Sequence, residues 1–173
     1  MTNDDLRKAI HHEKVVIPAK PPPPTIVIDS REKKPYTFNG HTATSGLPTG
    51  DYSIRGFEKD ISVERKSLPD LYGCMTKELP RFFDQMDRLR EIKCRLLLVE
   101  GTWDMVGLGK EIHPKSTCTG TKTQNVLLSV MSSGVPVFLA NDRQHANCIA
   151  SDFLERSYNK LWKTTRAKLL GLS

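Results

Sequence analysis

The order of apolar and polar positions along the chain predicts strands that alternate with helices. Short runs of β-branched or apolar residues predict five strands, at residues 25–29, 51–54, 60–65, 95–100 and 135–140. Apolar residues three to four positions apart, together with capping residues, predict helices at residues 4–13, 67–76, 79–93, 123–132 and 143–170. A hairpin around Gly56, followed by alternating strands and helices, indicates an α/β fold with helices on both faces of a mixed sheet.

Two segments interrupt this pattern and are predicted to be irregular. Residues 39–50 are rich in turn-forming residues, and residues 102–120 combine glycine, proline and polar residues in an expected loop or lid. Four consecutive prolines at residues 21–24 favour a stiff polyproline II segment. We therefore predict an N-terminal tail with a proline-rich linker, residues 1–24, and one domain, residues 25–173. A binding site for a proline-recognising partner is the alternative role of the linker.

Length and composition fit one compact intracellular domain. A chain of 173 residues buries a sizeable core by itself, and no apolar run approaches the roughly 18 residues that would cross a membrane. The polar N-terminus does not have the pattern of a signal peptide. The four cysteines are far apart and form no C-x-x-C pair, which favours free thiols over a zinc site or a disulfide framework.

The charge balance is a mild indication of a polyanionic partner. The chain has 26 Lys and Arg residues against 20 Asp and Glu residues, which gives a formal net charge of +6. Basic side chains that neutralise phosphates release counterions, so nucleic acid is a natural partner for such a surface. Many basic proteins never bind nucleic acid, and the function has to be argued from motifs.

Charged residues at the predicted strand ends form the strongest candidate site. The two-residue period of a strand places Glu64 and Lys66 on one face, and the hairpin brings Asp51 beside Glu64. Two carboxylates offer the oxygen ligands that Mg²⁺ or Mn²⁺ prefers. Asp29, Asp51 and Glu64 are expected to crowd into one pocket, where their repulsion raises at least one pKa. A Glu-x-Lys pair alone is usually a solvated face of a strand. Further acids at strand ends, Asp29 and Glu100, make the combination point to a ligand.

These motifs resemble those of the XPF-type (xeroderma pigmentosum group F) structure-specific endonuclease domain. The matching segments are DSRE from Asp29, LPTGDYSI from Leu47, VERKSLPDL from Val63, Arg81 with Gln85 in PRFFDQ, and LLLVEG from Leu96. The match is dense from Ile26 to about Gly101 and looser over the rest of the domain. The resemblance implies a three-layer α-β-α, restriction-endonuclease-like fold with a central mixed sheet. It also implies metal-dependent hydrolysis of a phosphodiester in one DNA strand near a junction of duplex and single strand.

The resemblance also implies roles for individual residues. The catalytic group would consist of Asp29, Asp51, Glu64 and Lys66. The ligands of Mg²⁺ or Mn²⁺ would be Asp51, Glu64 and the backbone carbonyl of Arg65. Arg31 and Glu32 would orient their neighbours or contact the phosphate.

Several nearby residues have two interpretations. Asp70 either belongs to the site or forms a capping box with Ser67, in which the acid receives a backbone N–H at the start of a helix. Glu100 either supports the site or simply ends its strand. One helix face contains Arg81, Gln85 and Arg88, and it either tracks a phosphate backbone or is a solvated face with an Asp84–Arg88 pair.

The C-terminal segment bears on the oligomeric state. Its predicted helix or helix pair has an apolar stripe formed by Phe153, Leu161, Trp162 and Leu169. Exposed stripes of this size mark interfaces, so a homodimer through the C-terminal helices is predicted. The alternative is that the stripe packs on the sheet of its own chain.

DNA is the expected partner and endonuclease activity on flap or branched DNA is the expected function. No helix-hairpin-helix pair and no helicase motor are recognisable, so the sequence resembles a stand-alone nuclease module. A non-catalytic DNA-binding or scaffolding partner is the first alternative, although no acid or lysine of the motif is missing. A resolvase or restriction-type nuclease on the same fold is the second.

Overall fold

One mixed sheet of six strands organises the structure, which is a computed structural model that describes residues 17–111, 114 and 118–171. The strands are β1 (Thr25–Asp29), β2 (His41–Ser45), β3 (Tyr52–Ile54), β4 (Ile61–Ser67), β5 (Cys94–Glu100) and β6 (Val137–Ala140). Their order is β2-β1-β3-β4-β5-β6, and β3 is antiparallel to both of its neighbours while the other pairs are parallel. The predicted hairpin is therefore confirmed as β3 and β4.

In the part of the chain that the structure describes, five helices connect and cover the strands. They are α1 (Leu68–Cys74), α2 (Leu79–Arg90), α3 (Trp103–Leu108), α4 (Gly120–Ser132) and α5 (Arg143–Leu169), with one 3₁₀ turn at Gly109–Glu111. The helix predicted at residues 4–13 lies outside the described residues. No helix in the described part of the chain is both long enough and apolar enough to span a membrane.

The two faces of the sheet bury separate apolar cores. On β5, Leu96 and Leu98 face α5, whereas Leu97 and Val99 face the layer formed by α1, α2 and α4. A central strand that is buried on both faces needs an unbroken apolar run, which is why residues 96–99 lack polar positions. This arrangement confirms the three-layer α-β-α fold.

The apolar stripe of α5 packs on the sheet of its own chain. Leu161 is buried in the core beneath the helix, and Phe153 and Trp162 are partly buried against the same core. Leu169, near the end of the helix, is half-buried. The structure thus follows the alternative interpretation, and the stripe does not provide the exposed surface on which the dimer was predicted.

Two segments predicted to be irregular contain regular structure. Strand β2 lies within residues 39–50, where its polar sequence HTATS is almost entirely exposed at the sheet edge. Without a buried face it has no alternation of apolar and polar residues to reveal it. Helix α3 lies within residues 102–120, is capped by Thr102 and buries only Val106. Its six residues are too few to show a helical period.

Part of the predicted proline-rich linker is bonded to α5. The Tyr158 hydroxyl donates to the carbonyl of Pro22 at 3.1 Å, and Arg166 Nε donates to the carbonyl of Pro18 at 3.1 Å. Each bond joins residues that are more than a hundred positions apart in sequence. Residues 18–22 therefore run along the helix rather than away from the domain.

Candidate active site

An open cavity of about 940 Å³ lies at one edge of the sheet, where β4 and β5 end and β3 begins. Helices α1 and α2 form one wall of the cavity, and the segment from Pro48 to Asp51 forms another. Every residue that the sequence predicted for the site lines this cavity. The topology therefore brings the whole predicted set to one edge, as expected for side chains at strand ends.

Gly50 explains why a glycine precedes the first acid of the site. Its φ of 77° lies in the left-handed region, and a Cβ there would collide with Ser62 Oγ and crowd the carbonyl of Val63. This close approach lets the Asp51 N–H donate to the Val63 carbonyl at 2.8 Å. The Arg65 N–H then donates to Asp51 Oδ2 at 2.7 Å. Asp51 is thus fixed to β4 by its backbone and by its carboxylate.

Glu64 and Lys66 form a buried ion pair beside Asp51. Lys66 Nζ lies 2.8 Å from Glu64 Oε1 and donates to Gln85 Oε1 of α2 at 3.2 Å. The Glu64 side chain is 2% exposed, and its Oε2 has no hydrogen-bond partner within the described residues. A buried carboxylate oxygen without a partner is costly, so this atom is suited to bind a ligand.

Burial and like charge shift the pKa values of these three groups. Burial, followed by the charge of Glu64, raises the pKa of Asp51 to about 8. Burial also raises the pKa of Glu64, against opposing effects of Lys66 and, to a smaller extent, the Gln85 amide. Burial alone would lower the pKa of Lys66, but the Glu64 carboxylate outweighs it and the pKa is raised. At least one acid therefore has a raised pKa, as expected, but burial contributes more to the rise than the repulsion that the sequence predicted.

Asp29 differs from the other two acids, because donors already occupy its carboxylate. Oδ1 accepts from Arg31 N and Nε, and Oδ2 accepts from Arg31 Nη2 and from the Leu47 N–H, all within 2.8 Å. The Arg31 hydrogen bond is the main reason that the pKa of Asp29 is lowered to about 2. The Asp29 N–H donates to the Asp51 carbonyl at 2.8 Å. In this arrangement Asp29 and Arg31 hold the chain around Asp51, and neither Asp29 oxygen lacks a partner.

On the opposite face of β4, Arg65 belongs to a buried ionic network. Its guanidinium contacts Glu100 at 2.8 and 3.2 Å and Glu32 at 3.3 Å, and it lies 5.8 Å from the Tyr36 ring centroid. Arg143 at the start of α5 also contacts Glu100, at 2.8 Å. Burial alone would raise the pKa of Glu100, but Arg65 more than offsets this and the pKa is lowered. Glu32 and Glu100 therefore orient Arg65.

The remaining predicted residues lie on the helices that form one wall. Ser67 Oγ accepts from the Asp70 N–H at 3.3 Å and donates to Asp70 Oδ2 at 2.6 Å, so Asp70 does take part in the cap of α1. Its carboxylate accepts from the Ser67 hydroxyl, whereas the sequence predicted a backbone N–H. On α2, Arg81 is 85% exposed and pairs with Glu78 at 3.5 Å. An Asp84–Arg88 pair is not among the ion pairs of the described residues.

Sequence reasoning missed two members of the Arg65 network. Tyr36 donates its hydroxyl to Glu100 Oε1 at 3.0 Å and stacks under Arg143, whose guanidinium carbon is 4.9 Å from the ring centroid. Tyr36 stands in a segment without regular period, and Arg143 follows the last strand by only a few residues. Tyr36 and Arg143 come close to Glu100 only in the folded protein, so no local sequence pattern could have identified them.

Comparison with solved structures shows which fold the chain shares with known proteins. Solved structures similar to the chain include XPF from Aeropyrum pernix in complex with DNA, with 19% identity and a TM-score of 0.60 over 79% of this chain and 66% of that one. XPF from Aeropyrum pernix alone gives 20% identity and a TM-score of 0.58 over 78% and 61%. The chain thus spans less than two thirds of either structure, and at such identities the likeness shows the fold. No curated protein matches the chain in sequence.

The family comparison covers the site itself. The ERCC4 domain matches residues 28–150, which begin in the last two residues of β1 and extend into α5. All three residues of the Asp51, Glu64 and Lys66 group fall within that range. Because the match covers most of the sequence, the chain belongs to the ERCC4 domain family.

Proposed function

We propose that the protein is a structure-specific DNA endonuclease that hydrolyses a phosphodiester in one strand near a junction of duplex and single-stranded DNA. The observation that carries this proposal is the convergence of Asp51, Glu64 and Lys66 on one open cavity, where one Glu64 oxygen has no hydrogen-bond partner among the described residues. Membership of the ERCC4 domain family and the likeness to an XPF structure in complex with DNA support it.

The two carboxylates fit a divalent metal of the hard class. Asp51 and Glu64 would hold Mg²⁺ or Mn²⁺ together with the Arg65 carbonyl, and the cation would offset the repulsion that helps to raise the pKa of Asp51. The described residues contain no group of three or more His, Cys, Asp or Glu side chains placed to hold a metal. A magnesium site typically uses one or two carboxylates plus substrate phosphates, so two acids are sufficient in number. When bound, the metal would polarise the phosphoryl oxygen and lower the pKa of a water.

The chain's own residues supply the rest of the chemistry. Lys66 is held as a cation by Glu64 at 2.8 Å, so its ammonium is placed to neutralise charge that develops on the phosphate and to hold the attacking water. Basic residues along the rim of the cavity are suited to track the DNA backbone. They are Arg31, Lys33, Lys34, Arg81, Arg88 and Arg143.

Cleavage of a panel of labelled DNA substrates tests the proposed function. We expect one strand of a flap or splayed-arm substrate to be cut in Mg²⁺ or Mn²⁺, with continuous duplex left intact and no cutting in chelator. Binding without cleavage under every condition would instead support a non-catalytic DNA-binding or scaffolding role. Paired symmetric cuts across a four-way junction would identify a resolvase.

The metal assignment gives a separate prediction for stability. Asp51→Asn removes a buried carboxyl group whose ionisation the fold disfavours but keeps an acceptor for the Arg65 N–H, so in chelator it should melt at a higher temperature than the parent. Because the folded pKa of Asp51 lies above its unfolded value, the parent loses stability as pH rises towards 8. The difference between variant and parent should therefore grow from pH 5 to pH 8. Thermal melts across this range check it.

The same thermal melts, repeated with added metal, test whether Asp51 is a metal ligand. Mg²⁺ or Mn²⁺ should raise the melting temperature of the parent by mass action and that of Asp51→Asn much less. Equal metal-induced shifts in both proteins would mean that Asp51 is not a ligand, and the site would have to be assigned to other groups.

A further inference from the structure

The Lys66 ammonium has two partners on different elements. Glu64, two residues before it on β4, pairs with it at 2.8 Å, and Gln85 on α2 accepts from it at 3.2 Å. The lysine side chain is only 14% exposed, so few solvent molecules can replace a lost partner. The position of Nζ therefore depends on these two groups.

One of the two partners is weakened if Glu64 binds a metal through its Oε2, as the proposed function requires, because Oε1 then faces Lys66 from a carboxylate whose charge is shared with the cation. A metal-bound carboxylate has less negative charge to hold an ammonium, whereas the neutral Gln85 amide keeps its acceptor oxygen for the lysine. We propose that Gln85 is a positioning residue: it holds Lys66 over the cavity while Glu64 serves the metal.

The location of Gln85 links the lysine to the surface that would meet DNA. Arg81 and Arg88 lie one helical turn on either side of it on α2, and both line the cavity. Gln85 itself is only half-buried, and the core contacts of the helix come from Phe82, Met86 and Leu89. Its side chain is therefore not needed to pack the helix, and a variant at this position is expected to fold.

Replacement by leucine, which lacks an acceptor, tests the proposal. With enzyme in excess over a cleavable flap substrate, Gln85→Leu should lower the single-turnover rate by about 10- to 100-fold, because small misplacement of a catalytic group is costly. Affinity for the same DNA in Ca²⁺ and the Mn²⁺-induced rise in melting temperature should match those of the parent. A residue that only packs the helix or only binds DNA would not lower the cleavage rate while leaving both the DNA affinity and the metal-induced rise in melting temperature unchanged.

Two further variants complete the design. Gln124→Leu is the matched control, because Gln124 is a half-buried glutamine on α4 that bonds to the Trp103 carbonyl away from the cavity. It should cut at the parental rate. Gln85→Asn, which keeps a neutral amide acceptor one methylene shorter, should cut faster than Gln85→Leu.

The possible failures are distinguishable. A parental rate for Gln85→Leu, beside a Lys66→Ala variant that does not cut, overturns the role of Gln85 and leaves the proposed function intact. A loss of DNA affinity as large as the loss of rate would make Gln85 a DNA contact instead. A rate for Gln85→Asn no higher than that of Gln85→Leu would also overturn the proposal. A parent that cuts no substrate with either metal removes both the proposed function and this inference.

Discussion

Glu64→Gln and Lys66→Ala are each expected to lower the single-turnover cleavage rate by at least about 100-fold, while DNA affinity stays within about threefold of the parent. Both side chains are nearly buried at the floor of the cavity, where the reacting phosphate would lie. Groups that act on the transition state change the rate, whereas affinity is the sum of many backbone contacts. Cleavage and binding should be measured on one labelled flap substrate, in Mg²⁺ and Ca²⁺ respectively.

The matched controls lie on the turn that joins β3 and β4, at the opposite end of these strands. Glu58→Gln and Lys59→Ala make the same chemical changes there, and neither side chain lines the catalytic cavity. Both controls should cut at the parental rate. Near-normal cutting by purified Glu64→Gln or Lys66→Ala would show that the catalytic group has been assigned wrongly.

Arg65→Met is expected to cost about 3–5 kcal/mol of unfolding free energy, because it breaks a buried ion pair from one side. The Arg65, Glu32 and Glu100 side chains are each less than 10% exposed, so the change leaves two carboxylates in the interior with fewer partners. Methionine has a similar length and no charge, so the loss reports mainly on the missing cation. Urea unfolding of both proteins, under identical conditions, measures the difference.

A surface pair of the same kind provides the control for this loss. Arg90 contacts Asp87 at 3.3 Å on α2, and both side chains are largely exposed. Water replaces the partner of an exposed ion, so Arg90→Met should change the unfolding free energy by less than about 1 kcal/mol. Equal, small losses in the two variants would mean that the Arg65 network contributes no more than a surface pair.

Strands and the faces of their side chains are predicted best where the local pattern of polar and apolar residues follows directly from burial. The two-residue period of β4 placed Glu64 and Lys66 on one face and Arg65 on the other, and the structure confirms this division. The apolar run at residues 96–99 predicted a central strand for the same reason, since burial on both faces excludes polar residues. In both strands, the order of polar and apolar residues shows which side chains face the protein interior.

Contacts between distant segments could not be predicted in this way. Both oxygens of Asp29 are occupied by Arg31 and by the backbone of Leu47, and the Leu47 contact exists only after residues 46–50 fold back over β1. The identity of Asp29 as an acid says nothing about whether its oxygens remain available. Likewise, Lys66 meets Gln85 only because α2 packs beside β4, and helix packing has no signature in either segment alone.

The position of α5 has a consequence for how the chain folds during its synthesis. Within the described residues, this is the only helix in the core on the sheet face that contains Val63 and Leu98, and it is also the element to which Pro18 and Pro22 are bonded. It leaves the ribosome after every strand has been made. Until α5 has been made, one face of a largely apolar sheet is uncovered. Pro18 and Pro22 also lack the donors that α5 provides in the folded protein. Nascent chains that lack α5 should therefore depend on chaperones, since exposed apolar sheet surface is prone to aggregate.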